Sequence, residues 1–168
     1  MGGSTNYFMR EQEIIANAYC FFKVAFESKP SMSLRSGVAI DVYQLPVPFD
    51  AEIDQPTDDY IEANAYFALP HLDTASWKHY LPHLIEYVLD DEKHLNSMVG
   101  EGLLWSLRPP DREPPRLESL TKEQKEVITN FLSFLAFEKN SSLESLACQV
   151  LEEYWIEDSI YGLKTSKR

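Results

Sequence analysis

The amino-acid sequence predicts a mainly α-helical single domain, a bundle of about five to six helices with an irregular proline-rich arm and at most one or two short strands. Three observations predict it. Apolar residues recur at three- and four-residue steps over most of the chain, capping residues stand in front of those runs, and prolines gather in the segments between them. A chain of 168 residues is the usual size of one domain. With 44% apolar residues, including nine Phe, nine Tyr and three Trp, it can fill one core without metal or disulfide staples. Residues 1–168 therefore read as one helical domain, with no internal repeat or low-complexity tract.

The first helix is expected over residues 6–27, where Ile14, Ile15, Ala18, Phe21, Phe22, Ala25 and Phe26 keep helical spacing and Pro30 ends the run. Residues 31–56 lose that period, carry Pro46, Pro48 and Pro56, and read as an irregular arm. Val38-Ala39-Ile40-Asp41-Val42-Tyr43 is its one β-like run. A short helix over residues 57–69 opens with Thr57, Asp58 and Asp59, which cap it and complement its dipole. Asp73 or Thr74 caps the next, whose apolar stripe is Trp77, Tyr80, Leu81, Leu84, Ile85 and Val88. Pro82 stands inside it, removing the bond to the Lys78 carbonyl, so the sequence predicts a kink there or two short helices.

A further helix is expected over residues 92–107, on Leu95, Met98, Val99, Leu103 and Leu107, with Gly100 and Gly102 each weakening it by about 1 kcal/mol relative to Ala. Residues 108–116, with four prolines, read as an exposed, stiff connector. Thr121 and Gln124 have capping-box spacing ahead of Val127, Ile128, Phe131, Leu132 and Leu135, and Ser141 and Glu144 repeat it ahead of a last helix closing at about Gly162. The short link between them predicts an antiparallel hairpin, with Phe131, Leu135, Leu146, Val150 and Trp155 on its buried side. Residues 163–168 read as a flexible basic tail.

Twenty-seven acidic against fifteen basic residues give a formal charge of −12. Such a surface repels nucleic-acid phosphates and anionic membranes, so neither is expected as a partner. No signal peptide or apolar span is visible, Asn6 stands where a myristoylation pattern wants Ser or Thr, and Cys20 and Cys148 read as two buried free thiols. The expected compartment is the cytoplasm.

Candidate chemistry is sparse. His79, His83 and Glu86 would lie within about 60° of one another on an unbroken helix, as three metal ligands on one face need to. That face, opposite Trp77 and Leu84, reads as solvated. Asp50, Glu52, Asp54 and Asp58 match positions one, three, five and nine of a calcium loop, but Gln55, Pro56 and Ile61 occupy the sixth, seventh and twelfth. Asp90 with Asp91 and Glu152 with Glu153 read as surface pairs, and no nucleophile elbow, phosphate loop or paired-cysteine motif occurs. No cofactor is expected.

The segment from Phe67 to Leu89, with His79-Tyr80-Leu81-Pro82 inside it, resembles a family of uncharacterised bacterial proteins with a Tyr-Tyr-Leu-Pro helix motif. A second similarity covers Leu117 to Leu135, where Arg-Leu-x-x-Leu-Thr-x-x-Gln precedes Phe-Leu-x-Phe-Leu. The resemblance implies a helical fold and a bacterial origin, and no activity. The functional expectation is a non-catalytic acidic domain, accessory or immunity-type, that binds another protein of basic surface; a homo-oligomer is compatible with it. The alternative is a metal-dependent hydrolase using His79, His83 and Glu86.

Overall fold

The computed structural model describes residues 2–90, 96–139 and 141–161, with side chains from Phe8 onward. The described chain is mainly helical. Its eight α-helices are α1 (Gly2–Phe21), α2 (Lys23–Glu27), α3 (Leu34–Asp41), α4 (Asp58–Ala68), α5 (Thr74–Leu89), α6 (Val99–Ser106), α7 (Lys122–Ser133) and α8 (Glu144–Val150). A 3-10 turn, Leu69–His71, follows α4, and π-helical turns Phe134–Glu138 and Leu151–Trp155 extend α7 and α8. Among the described residues there is no strand, and no helix is long and apolar enough to cross a membrane.

Local capping explains where several helices begin. Thr57 accepts from the Tyr60 amide ahead of α4, and Asp73 accepts from the Ser76 amide ahead of α5. At α7 the expected box is complete: Thr121 accepts from the Gln124 amide while the Gln124 side chain accepts from the Thr121 amide. Ser141 and Glu144 do not repeat it. The Ser141 hydroxyl accepts instead from the Leu143 amide at 3.2 Å, and α8 starts at Glu144 without a side-chain cap.

α5 is the central helix, with eleven of its residues buried. α1 and α2 pack on one side of it and α6 on another, while α7 packs on α1 and α8 on α6 and α7. Pro82 neither breaks α5 nor divides it, and the helix is continuous from Thr74 to Leu89. Burial on nearly every side holds the proline turn in place against the missing amide bond.

The last two helices form the expected antiparallel hairpin, since Lys125 near the start of α7 reaches the Tyr154 hydroxyl at 3.2 Å. Phe131, Leu135, Val150 and Trp155 are buried and Leu146 is half-buried. The predicted close at Gly162 lies outside the described residues, as does the basic tail; helical structure ends at Trp155, with Ile156 extended.

Four further expectations are corrected. The first helix is interrupted at Phe22, where the backbone turns (φ −105°, ψ 15°) before α2 resumes. The β-like run belongs to α3: Ser33 caps it by accepting from the Ser36 amide, and Gly37 lets its backbone lie against Ala68 of α4. α6 begins at Val99, and Asn96 ahead of it sits at φ 72°, so the expected helix does not run through residues 96–98; Glu92 and Leu95 lie outside the described residues. Cys20 is exposed and Cys148 half-buried, because Cys20 points away from the face that α1 turns to the core.

The glycines expected to weaken α6 are packing sites. A Cβ on Gly100 would meet Leu143 Cδ1 at 2.7 Å, and one on Gly102 would meet Tyr66 Cδ2 at 3.2 Å. Gly37 is the tightest approach to backbone: a Cβ there would stand 2.7 Å from Ala68 Cβ and 2.8 Å from its Cα. Helix propensity favours alanine by up to about 1 kcal/mol, but backbone cannot swing aside as a side chain can. Gly37→Ala should lower the unfolding free energy by about 1–3 kcal/mol in urea melts; an unchanged or raised midpoint would show that α3 and α4 separate freely.

Candidate functional site

The structure treats the three predicted metal-type residues separately. His79 is buried, not solvated, and its Nδ1–H donates to the Ala25 carbonyl at 3.1 Å. His83 is half-buried against Tyr19 and Phe26. α1 and α2 cover the face of α5 that the sequence assigned to solvent, which accounts for the correction. The Tyr19 hydroxyl donates to Glu86 Oε1 at 2.8 Å, so its oxygen accepts from His83 Nδ1–H at 3.0 Å. Only Glu86 is exposed, and among the described residues no three His, Cys, Asp or Glu side chains could together hold a metal ion.

Burial, with the nearby His79 as a smaller cause, pushes His83 down to about 4, while burial also raises the Tyr19 hydroxyl. The unfolded imidazole protonates near pH 6.5, so between about 6.5 and 4 the unfolded chain binds a proton that the native one refuses. This contribution to stability is complete above the unfolded value and is lost as pH falls toward 4. Urea melts at pH 7 and pH 5 should differ by roughly 2 kcal/mol from this group, and His83→Gln should remove most of that difference. An identical pH dependence in the variant would show that His83 titrates normally.

The acidic loop also differs from its template. Asp54 is buried and paired with Arg35, whose Nε and Nη2 lie 2.7 and 2.9 Å from its two oxygens. It also accepts from the Tyr60 hydroxyl and the Asp50 amide, both at 2.8 Å. Its oxygens thus serve the fold. Arg35 also donates to the Pro48 carbonyl and Ser36 Oγ accepts from the Val47 amide, so the arm is tied along α3.

The arm and the first turns of α4 carry mostly acidic charge, with the exposed Lys29 at one side, 5.7 Å from the centre of the Phe49 ring. Between Arg35 and Lys78 the sequence contains no Lys or Arg. Asp50, Glu52, Asp58, Asp59 and Glu62 are exposed there, with Val42, Tyr43, Leu45 and Ile53 exposed among them. Tyr43 ends α3 in the left-handed region at φ 62°, unusual for a tyrosine, and is 99% exposed. The parallel course of α3 and α4 follows from Arg35 meeting Tyr60, Gly37 meeting Ala68 and Asp41 meeting His71. Residues 42–57 join those helices, and with the first turns of α4 they expose these acidic and apolar side chains.

The sequence did not disclose the cleft at the other end of α4. It has a volume of about 470 Å³ and lies between the end of α4, α6 and residues 108–117. The connector is therefore no bare spacer. Asp111 Oδ1 accepts from the amides of Arg112, Arg116 and Leu117 at 2.8–3.0 Å, and Oδ2 from Glu118 at 2.9 Å. Arg116 is buried and donates through Nη2 to the Leu69 and Leu72 carbonyls, whereas Arg112 donates through Nη1 to those of Pro70 and Leu72.

Arg108 forms a forked pair with Glu153 at 2.8 and 3.1 Å and lies 4.3 Å from the centre of the Trp105 ring. Glu153 is accordingly not a loose surface carboxylate, and Asp91 lies outside the described residues. Burial first, then the charge of Arg112, pulls Arg116 down to about 9 against the opposing pull of Asp111 and Asp73. The cleft's other polar groups are engaged: Ser106 Oγ donates to the Leu103 carbonyl and accepts from Trp77 Nε1, and Asp41 pairs with His71 at 2.9 Å.

A family model described as a family of unknown function, DUF6714, matches residues 10–159 of the chain. No curated protein and no solved structure matches the chain.

Proposed function

The chain belongs to the DUF6714 family, whose function is unknown, and from the chemistry of the strip between Tyr43 and Glu62 we propose that it is a non-catalytic domain that binds another protein of basic surface. One observation carries this reading. Five exposed carboxylates and four exposed apolar side chains share the segment from Val42 to Glu62, which has no Lys or Arg and is fastened to α3 by the pairing of Arg35 with the buried Asp54. A field of one sign steers an oppositely charged partner, while exposed Tyr and Leu supply the apolar contact that holds it. An accessory or immunity-type role in a bacterial cytoplasm accords with that surface and with the Tyr80-Leu81-Pro82 helix.

The test is affinity capture from a bacterial lysate at low and high salt, with a Tyr43→Ala variant and a Glu52→Lys, Asp59→Lys variant in parallel. A specific protein should be retained at low salt and released at high salt. Each variant should lose it by roughly ten-fold or more. Retention that salt and both variants leave unchanged would sink the reading. The rival, a metal-dependent hydrolase, needs His79, His83 and Glu86 to turn toward one ion, away from the Ala25 carbonyl and Tyr19. Stoichiometric zinc or manganese in protein purified without chelator, lost in His83→Ala, would establish it instead.

A further inference from the structure

The cleft beyond the acidic strip brings together features that the protein-binding reading does not use. Among the described residues, neither Arg112 nor Arg116 forms an ion pair, although the chain carries a charge of −12. Both guanidiniums are held by main-chain carbonyls at one edge, which fixes their position with no carboxylate in contact; Asp111 and Asp73 act on Arg116 from farther off, and its guanidinium carbon lies 5.6 Å from the centre of the Trp77 ring. Arg116 is only 4% exposed, and its buried Nε–H has no hydrogen-bond partner. Arg112 donates to carbonyls only through Nη1, which leaves its Nε–Nη2 edge open as a fork, and a carboxylate is the group whose two oxygens match such a fork.

The rest of the wall is of another kind. Phe67 and Trp105 line the cleft at 50% and 58% exposure, with Tyr66 beside them in edge contact with Phe67. A volume of about 470 Å³, aromatic walls and a few convergent polar groups suit a small organic molecule. The serine and carboxylates at the cleft are already committed to the fold, so such a molecule would meet donors and rings rather than a free base or nucleophile.

We propose that this cleft binds a small organic acid with a flat, apolar body, its carboxylate held by the Arg112 fork beside the positive charge of Arg116 and its body laid against Trp105 and Phe67. This goes beyond the protein-binding reading, concerns different residues, and stands or falls separately from it. Neither the ring nor the charge alone suffices, because the walls offer apolar contact and the Arg112 fork offers charge-assisted hydrogen bonds at the same time.

Isothermal titration calorimetry of the full chain with phenylacetate, benzyl alcohol and acetate tests the proposal. Phenylacetate should bind at least roughly ten-fold more tightly than benzyl alcohol, which has the ring without the charge, or acetate, which has the charge without the ring. Arg112 and Trp105 are exposed, so variants there keep the core intact. Arg112→Ala and Trp105→Ala should each weaken phenylacetate by roughly ten-fold, and Arg112→Lys, with a charge but no fork, should restore only part of the loss. Lys122→Ala, outside the cleft, should bind as the unaltered protein does. Equal binding of benzyl alcohol, indifference to Arg112→Ala, or no binding of phenylacetate up to roughly 10 mM would overturn the proposal.

Discussion

Phe131→Ala is expected to lower the unfolding free energy by about 3–5 kcal/mol, a large part of the 5–15 kcal/mol typical of a domain. Phe131 is fully buried on α7 within the continuous core that also takes in Leu135 and Val150. Truncation removes a ring from that core, and close packing on all sides leaves little freedom for the cavity to collapse. The control must be a residue of α7 without such contacts, unlike Lys125, which bonds the Tyr154 hydroxyl and pairs with Glu118. Glu126 is exposed on the same helix, and Glu126→Ala should lie within about 0.5 kcal/mol of the unaltered protein. Thermal and urea melts of the two variants settle the matter: a Phe131 variant as stable as the Glu126 one would mean that the α7–α8 seam is not core.

Asp54→Ala should cost about as much, on the order of 3–5 kcal/mol, for another reason. Its carboxylate side chain is fully buried and is the acceptor for Arg35, for the Tyr60 hydroxyl and for the Asp50 amide. Removing it strands a guanidinium and a buried hydroxyl together. The 30% exposure of the Arg35 side chain lets water relieve part of the loss, so the lower half of the range is expected. Arg35→Ala and the double variant complete a cycle in which the second substitution should cost much less than the first. Burial alone would raise the Asp54 pKa, but the bonds from Arg35, the Asp50 amide and Tyr60 outweigh it and hold the carboxyl below the usual carboxylate range. The pair's stability is therefore present at neutral pH and disappears only as pH falls through that lowered value. Under the proposed protein-binding role, Asp54→Ala should also weaken retention of a basic protein, since the arm loses its fastening to α3. An Asp54→Ala protein with unchanged urea midpoint would show that the pair contributes nothing.

The elements legible in the sequence are those decided within a few residues. Thr121 and Gln124 close a capping box on each other, and Thr57 and Asp73 cap their helices across three residues. The misread elements were decided at a distance. Val38, Ile40 and Val42 alternate as a strand would, but α3 is fixed by Ser33 and by the contact of Gly37 with Ala68, thirty-one residues away. His79 and His83 sit on the polar side of α5, and only the path of α1 and α2 puts Ala25 and Tyr19 over them.

The site shows the same division. The net charge was visible as a sum, and the acidic strip follows from the order of residues once Asp54 is set aside as internal. Arg116 gave no local signal, because its role depends on carbonyls 44 and 47 residues earlier. A proline-rich run reads as a spacer from its composition, yet Asp111 gathers four amides across it and turns it into a wall.

That gathering has a consequence for how the protein could be altered. The course of residues 111–118 is held by one carboxylate on main-chain amides, which every non-proline residue possesses, and by Arg116 and Arg112 on the carbonyls of residues 69–72, so an exchange at 112 gives up two of several ties. Arg112 is exposed and its neighbours Glu113 and Pro114 face solvent. The frame is thus separable from what it displays. Exchanging the side chain at 112 alters the chemistry offered to a visitor while Asp111 and Arg116 keep the backbone where it is. A designer could treat position 112 as an interchangeable fitting on a fixed bracket.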